Sequence, residues 1–306
     1  TRYWRDWSSD VCSSDLMGFN TVQFSDRNMF PSKATNPAFG LTPAISRLQI
    51  NTQEVKSWIA EPQLLYSRAI SKAKLSSIIG TTFQEQISEQ TVQVGVGFSS
   101  DALIENIAAA SFKTISQYNY RQYRYSALFG RVNFEWDGKY FINLTGRRDG
   151  SSRFGPGKQF ANFGAVGLAW VFTQEGFLSG KIPILSFGKL RSSYGTTGND
   201  QIGDYEYLDS YATGGTYQGV TSLGPVRLFN PDFMWEVNRK FEVALELGFN
   251  EDKLVVNAAY FNNRSSNQLL GYTLPATTGF ASIRSNLPAT VQNTGIEIDL
   301  SSINIK

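Results

Sequence analysis

The sequence predicts an all-β chain, and within that class the wall of a transmembrane antiparallel β-barrel, with about nine strands. Three observations point there. Side chains alternate apolar and polar in twos, connections alternate short and long, and aromatic residues gather beside the short turns.

Alternation is clearest over residues 124–172. Leu128, Gly130, Val132, Phe134 and Trp136 fall on one face of a strand, and Arg131, Asn133 and Glu135 on the other, because successive strand side chains point to opposite faces. Asp137-Gly138 is a favoured pair for a two-residue type I′ hairpin. Beyond it Tyr140, Ile142, Leu144 and Gly146 alternate with Asn143, Thr145 and Arg147, and then Val166, Leu168, Trp170 and Phe172 with Ala165, Gly167 and Ala169. Taken alone, this pattern also fits a soluble sheet with one solvated face.

Read from the start, residues 1–16 (TRYWRDWSSDVCSSDL) resemble nothing that follows and read as a non-native, adapter-derived tail. Residues 17–56 read as irregular, punctuated by Pro31, Pro37 and Pro43. The barrel portion is residues 57–306. Its strands are expected at 57–67, with Pro62 weakening the ladder, and at 73–84. A polar stretch at 91–120, with a short helix near 102–110, separates these from the three strands above. Further strands are expected at 184–196, 241–249, 254–263 and 290–300, and the chain ends at Ile305-Lys306 without another.

Connections near Ser71, at Asp137-Gly138, over 173–183 and at Glu251-Asp252 are short, whereas 88–122, 152–161, 198–237 and 265–289 are expected to be long. Short turns at one end and long loops at the other mark an outer-membrane barrel. Tyr66, Trp136, Tyr140, Trp170, Phe172 and Phe249 cluster on the apolar face beside the short turns, as an interfacial girdle does. Arg131, Glu135, Arg147, Lys189, Arg191, Glu242, Glu246, Glu297 and Asp299 take the opposite face, expected to line a lumen.

Composition removes other classes. The chain has no histidine and one cysteine, Cys12, in 306 residues, which excludes His-based catalysis, His–metal sites and internal disulfides. A formal charge of +2 with no basic stripe gives no nucleic-acid footprint. Neither a cofactor nor a metal is expected.

The motifs SALFGRVNFEWDGKY, RRDGSSRFG, KLRSSYGTTGNDQIGDY, NPDFMWE, TTGF and VQNTGIEIDL occur in this order. They resemble the SusC/RagA family of TonB-dependent outer-membrane transporters, from residue 57 to the C-terminus. The resemblance implies a barrel of about twenty-two strands around an N-terminal plug, in the outer membrane of a Gram-negative cell. It further implies energising by the TonB complex, a SusD-like lipoprotein lid, and import of oligosaccharides or other large nutrients. Plug, TonB box and closing strand lie outside the matching residues.

Within the family motif Arg147, Arg148, Asp149, Gly150, Ser151, Ser152, Arg153 and Phe154, architecture is favoured over a binding role; its arginines have neighbouring strands or lipid-level phosphates as partners. Tyr205, Tyr207, Tyr211, Tyr217 and Trp235, in an expected extracellular loop, are the candidate substrate-binding aromatics, since such rings stack on sugars and dominate contacts. The competing reading packs them into the loop itself. Glu242 and Glu246 invite comparison with paired glycosidase carboxylates, but their spacing only repeats the strand alternation, so no enzyme is expected. Asp200, Asp204 and Glu206 carry oxygen ligands for Ca²⁺ without a recognised cage spacing. The alternatives to active import are a surface glycan-binding or adhesion module and a passive porin-type channel.

Overall fold

The computed structural model describes residues 9–34, 36, 38, 42–178 and 181–303. The first eight residues of the expected tail, Pro37 and the Ile305-Lys306 terminus lie outside the described residues. Twelve strands are present among them: β1 (Ser9–Phe30), β2 (Arg47–Ile70), β3 (Ala73–Val96), β4 (Phe112–Trp136), β5 (Tyr140–Ser151), β6 (Phe160–Trp170), β7 (Leu185–Asn199), β8 (Ser210–Tyr217), β9 (Val220–Arg227), β10 (Glu236–Phe249), β11 (Leu254–Thr273) and β12 (Ser282–Ser302). Ten form one sheet in the order β1-β2-β3-β4-β5-β6-β7-β10-β11-β12, and β8 pairs with β9 separately. From β4 to β12 every pairing in the large sheet is antiparallel. None of the described helices is long and apolar enough to cross a membrane.

The chain divides into two compact units. One holds Glu61–Phe83 and Tyr125–Lys306 together with Thr1–Leu16, and the other Met17–Ala60 and Gln84–Arg124. In the first unit the sheet is apolar on its exposed face and polar on its covered face. Along β5, Ile142, Leu144 and Arg148 are exposed while Phe141, Asn143, Thr145 and Arg147 are half-buried. Leu144 is 50% and Leu168 52% exposed, yet Asp149 is only 8% exposed. Folding driven by water would reverse this. The exposed rows continue through Leu190, Phe241, Leu245, Tyr260, Ile296, Ile298 and Leu300.

The hairpin at Asp137-Gly138 forms as expected, with one residue more. Asp137 (φ 53°) and Gly138 (φ 66°) both take left-handed conformations, and Lys139 N donates to Trp136 O at 2.9 Å. Because Trp136 pairs with Tyr140, Lys139 bulges beyond the turn. At the short turn between β10 and β11, Asn250, Glu251 and Asp252 all have positive φ, and the Ser186 hydroxyl donates to Asp252 Oδ1 at 2.7 Å.

Several expectations need correction. Residues 17–56 are not irregular throughout: β1 runs to Phe30 and β2 begins at Arg47, leaving 31–46 as the connection. Polar pairs such as Gln23 Nε2 to Glu54 Oε1, at 2.9 Å, carry this part of the sheet. The expected polar stretch at 91–120 shrinks to residues 97–111, because β3 and β4 continue past their apolar segments. Its expected helix is a pair of 3₁₀ turns, Asp101–Leu103 and Ile107–Ala109. The Asn106 side chain accepts from Ala108 N and starts a fresh turn instead of extending the first. β11 and β12 likewise shorten the 265–289 loop to residues 274–281. Phe172, expected at a strand end, starts a 3₁₀ turn after β6.

Candidate functional site

On the polar face of the first unit, alternation brings charges from adjacent strands into one row. Glu246 lies opposite Lys189 and Ala244 opposite Arg191 across the β10–β7 pair. Lys189 Nζ lies 3.2 Å from Glu246 Oε2, Arg191 Nε lies 2.9 Å from Glu246 Oε1, and Arg191 Nη1 pairs with Glu242. The two carboxylates are thus each held by a guanidinium. Their spacing repeats the strand alternation, and both serve the charge row. Arg131 and Glu135 line the same face beside them, in a concavity of 640 Å³ with Lys74, Asn143 and Arg191.

Arg147 occupies the same face nearer the long connections. It pairs with Asp149, donates to the Tyr125 hydroxyl, and places its guanidinium 5.9 Å from the Tyr125 ring centroid and 5.6 Å from that of Phe129. Arg148, one residue on, points to the apolar face, 5.3 Å above the Phe160 ring. Ser151 N donates to Gln159 O at 3.0 Å across the base of the β5–β6 connection. Gly150 faces Phe160, and Ser152 leads into Arg153.

Arg153 fastens the loop after β7. Its Nε donates to Asp204 Oδ1 at 3.0 Å and its Nη1 to the Asp200 carbonyl at 3.0 Å, while Glu206 pairs with Arg284 at 3.3 Å. Asp200, Asp204 and Glu206 therefore face cations rather than converging on a shared centre. Phe154 is fully buried, its ring centroid 6.0 Å from Phe233 and 5.1 Å from Trp235. The family string thus stitches the 200–235 loop to the sheet, with a charge at Arg153 and a ring at Phe154.

The five candidate aromatics separate. Trp235 is corrected from ligand platform to core: the residue is 5% exposed, and its indole N–H donates to Gln159 O at 3.0 Å. Tyr207 packs half-buried against the same cluster. Tyr205 sits in a turn at φ 60°, its carbonyl accepting from Arg227 Nη1 at 3.2 Å. Tyr211 and Tyr217 remain open, Tyr217 being 74% exposed, on the β8–β9 hairpin, which lies within the connection expected at 198–237. Alternating Tyr-Ala-Thr before Gln218-Gly219 is the local signal that would have revealed it.

In the second unit, reading by motif missed a polar tie. Asp101 accepts from the Ser46 hydroxyl, from the Ser32 hydroxyl at 2.7 Å and from Ser32 N at 3.2 Å. These hydrogen bonds, Ser46 first and then Ser32, hold the Asp101 carboxyl below the usual aspartate range. Leu48, Phe98, Ile104 and Ala110 form a small core beside it. Ser32 and Asp101 are 69 residues apart, so no spacing in the sequence announces the pair.

Residues 7–303 match the family model described as TonB dependent receptor-like, beta-barrel. TonB-dependent receptor P39 of Formosa agariphila is 29% identical over 76% of this chain and 22% of its own length. TonB-dependent receptor SusC of Bacteroides thetaiotaomicron is 28% identical over 57% of this chain and 18% of its own. Among solved structures, the RagAB peptide transporter superposes with a TM-score of 0.82 at 23% identity, over 97% of this chain and 32% of that one. The chain therefore spans about a quarter of the length of the curated relatives it matches.

Proposed function

This chain belongs to the TonB-dependent receptor-like β-barrel family, and on that premise we propose that it is wall of an outer-membrane importer of oligosaccharides or other large nutrients. The observation that carries the reading is the inverted exposure: apolar rows outside, paired charges on the covered face. A lipid-facing wall requires that arrangement, while a soluble core would place both in the wrong solvent. The short turns then face the periplasm and the long connections the exterior. The Lys189–Glu246–Arg191–Glu242 lattice lines the lumen, and Tyr211 and Tyr217 are the aromatics open to cargo or to a lid.

The whole protein is proposed to work with the TonB complex and a SusD-like lipoprotein, as its resemblance to the SusC/RagA transporters implies. Family membership places the chain among receptors and transporters, and we assign it no enzymatic step. Residues 1–16 stand as a proposed non-native tail, which sequencing upstream in the full-length gene checks.

The test is uptake of labelled oligosaccharides by cells carrying the full-length gene, with that gene deleted, and with tonB deleted. Loss of uptake in both deletions is the expected result. Uptake that depends on the gene but persists without TonB indicates a passive channel. Surface binding lost without any change in uptake indicates an adhesion module.

A further inference from the structure

The apolar face of β7, β10, β11 and β12 is arranged in registered rows. Tyr194, Phe241, Asn262 and Thr294 stand opposite one another. Toward the short turns this face continues with Val243, Leu245 and Leu247 on β10 and Ile296, Ile298 and Leu300 on β12. Toward the long connections the next row is Thr196, Arg239, Arg264 and Gln292. Two arginines therefore face each other directly at the rim of the apolar band, and both are exposed.

Side chains directly opposed on one sheet face have Cβ atoms about 5 Å apart, and like charges there repel. Arg264 Nε donates to Gln292 Oε1 at 3.0 Å. Its other N–H groups, and all of Arg239, have no hydrogen-bond or ion-pair partner among the described residues. No carboxylate stands in this row, in the Tyr194 row, or in the row beyond it, Gly198, Val237, Ser266 and Thr290. A single arginine at this depth is explained by snorkelling to the headgroup layer. Two in direct opposition, without an acid, call for an anion between them. Paired guanidinium forks match the oxygens of a phosphate.

We propose that Arg239 and Arg264 form a phosphate clamp on the lipid-facing wall, holding the phosphomonoester of a phosphorylated glycolipid headgroup in the outer leaflet. The clamp rests on the membrane orientation given under Proposed function. Arg148, on the same face of β5 above Phe160, extends the basic rim.

Native mass spectrometry of the full-length protein in detergent tests the clamp with three probes: bisphosphorylated lipid A, dephosphorylated lipid A and inorganic phosphate. The expected result is a lipid A adduct on the wild type that R239Q/R264Q weakens at least about tenfold, and that dephosphorylated lipid A does not form. Equal affinity of wild type and variant, or of the two lipids, overturns the clamp. Displacement of lipid A by an equal concentration of inorganic phosphate overturns the lipid as the source of the anion. Heat-modifiable gel mobility reports whether the variant barrel folds. If R239Q/R264Q does not fold, R239K/R264K keeps the charge and removes the fork, and an unchanged lipid A affinity for it overturns bidentate capture. A protein that imports with TonB yet ignores the lipid phosphates fails this inference alone.

Discussion

Arg153 and Phe154 are adjacent residues that secure one loop by different chemistry. Arg153 reaches Asp204 and the Asp200 carbonyl, and Phe154 fills a space closed by Phe233 and Trp235. Truncating a buried phenylalanine removes its contacts and leaves a cavity, at about 3–5 kcal/mol. Phe154→Ala in the full-length protein is accordingly expected to lower the temperature at which heat-modifiable mobility is lost, while Tyr217→Ala on the exposed hairpin leaves it unchanged. Asp101 gives a residue-scale prediction in pH. Its carboxyl is depressed in the folded state by Ser46 and Ser32, so its contribution is present above the unfolded value and is lost as pH falls through the folded one. The tie between residues 31–46 and 97–111 should therefore persist through mild acid and open only below the ordinary aspartate range. Hydrogen exchange at the Ser32 amide, followed against pH, reads this directly; Asp101→Asn should speed that exchange at neutral pH. Of these residues the sequence disclosed the importance of the Arg153-Phe154 string but not its target, since Asp204 and Phe233 come from a loop folded back over the sheet.

The strands were legible where lipid constrains them and illegible where it does not. From Phe241 to Phe249 the alternation spans about 27 Å of strand at the usual rise, and this segment stood out because every second side chain must be apolar there. β11 continues to Thr273 and β4 begins as early as Phe112. These extensions are held by backbone pairing, which leaves no mark on side-chain polarity once both faces are wet. Arg239 likewise precedes the alternating segment that starts at Phe241, and its opposition to Arg264 is visible only from the register. Packing within the sheet also depends on small residues beneath rings. A Cβ on Gly198 would stand 2.1 Å from Phe163 Cζ, too close without moving the ring. Gly198→Ala is expected to reduce the yield of folded barrel. Phe163→Ala in the same chain should be less damaging than the two single effects summed, a coupling that a double-mutant cycle on heat-modifiable mobility measures.

For the whole molecule, the consequential fact is that the large sheet, among the described residues, has two ends. β1 and β12 are its terminal strands, and an unpaired strand offers a row of backbone donors and acceptors to any other chain. Isoleucine and leucine on the outward face of β12 add an apolar surface of their own. Residues 17–303 expressed alone should therefore aggregate or require detergent; a soluble monomer with a sharp cooperative unfolding transition would contradict the membrane reading. Loop asymmetry and motif order were enough to place this chain in its family from sequence. The use of the 200–235 loop was not readable, because buried and open tyrosines look alike until their neighbours are known. That loop carries β8 and β9, which pair only with each other around Gln218 and Gly219. A hairpin tip outside the main ladder tolerates added residues better than any strand of the wall. A short epitope inserted between Gln218 and Gly219 of the full-length protein should therefore be stained by antibody on living, unpermeabilised cells, whereas one placed at Asp137-Gly138 should stay dark until the outer membrane is breached.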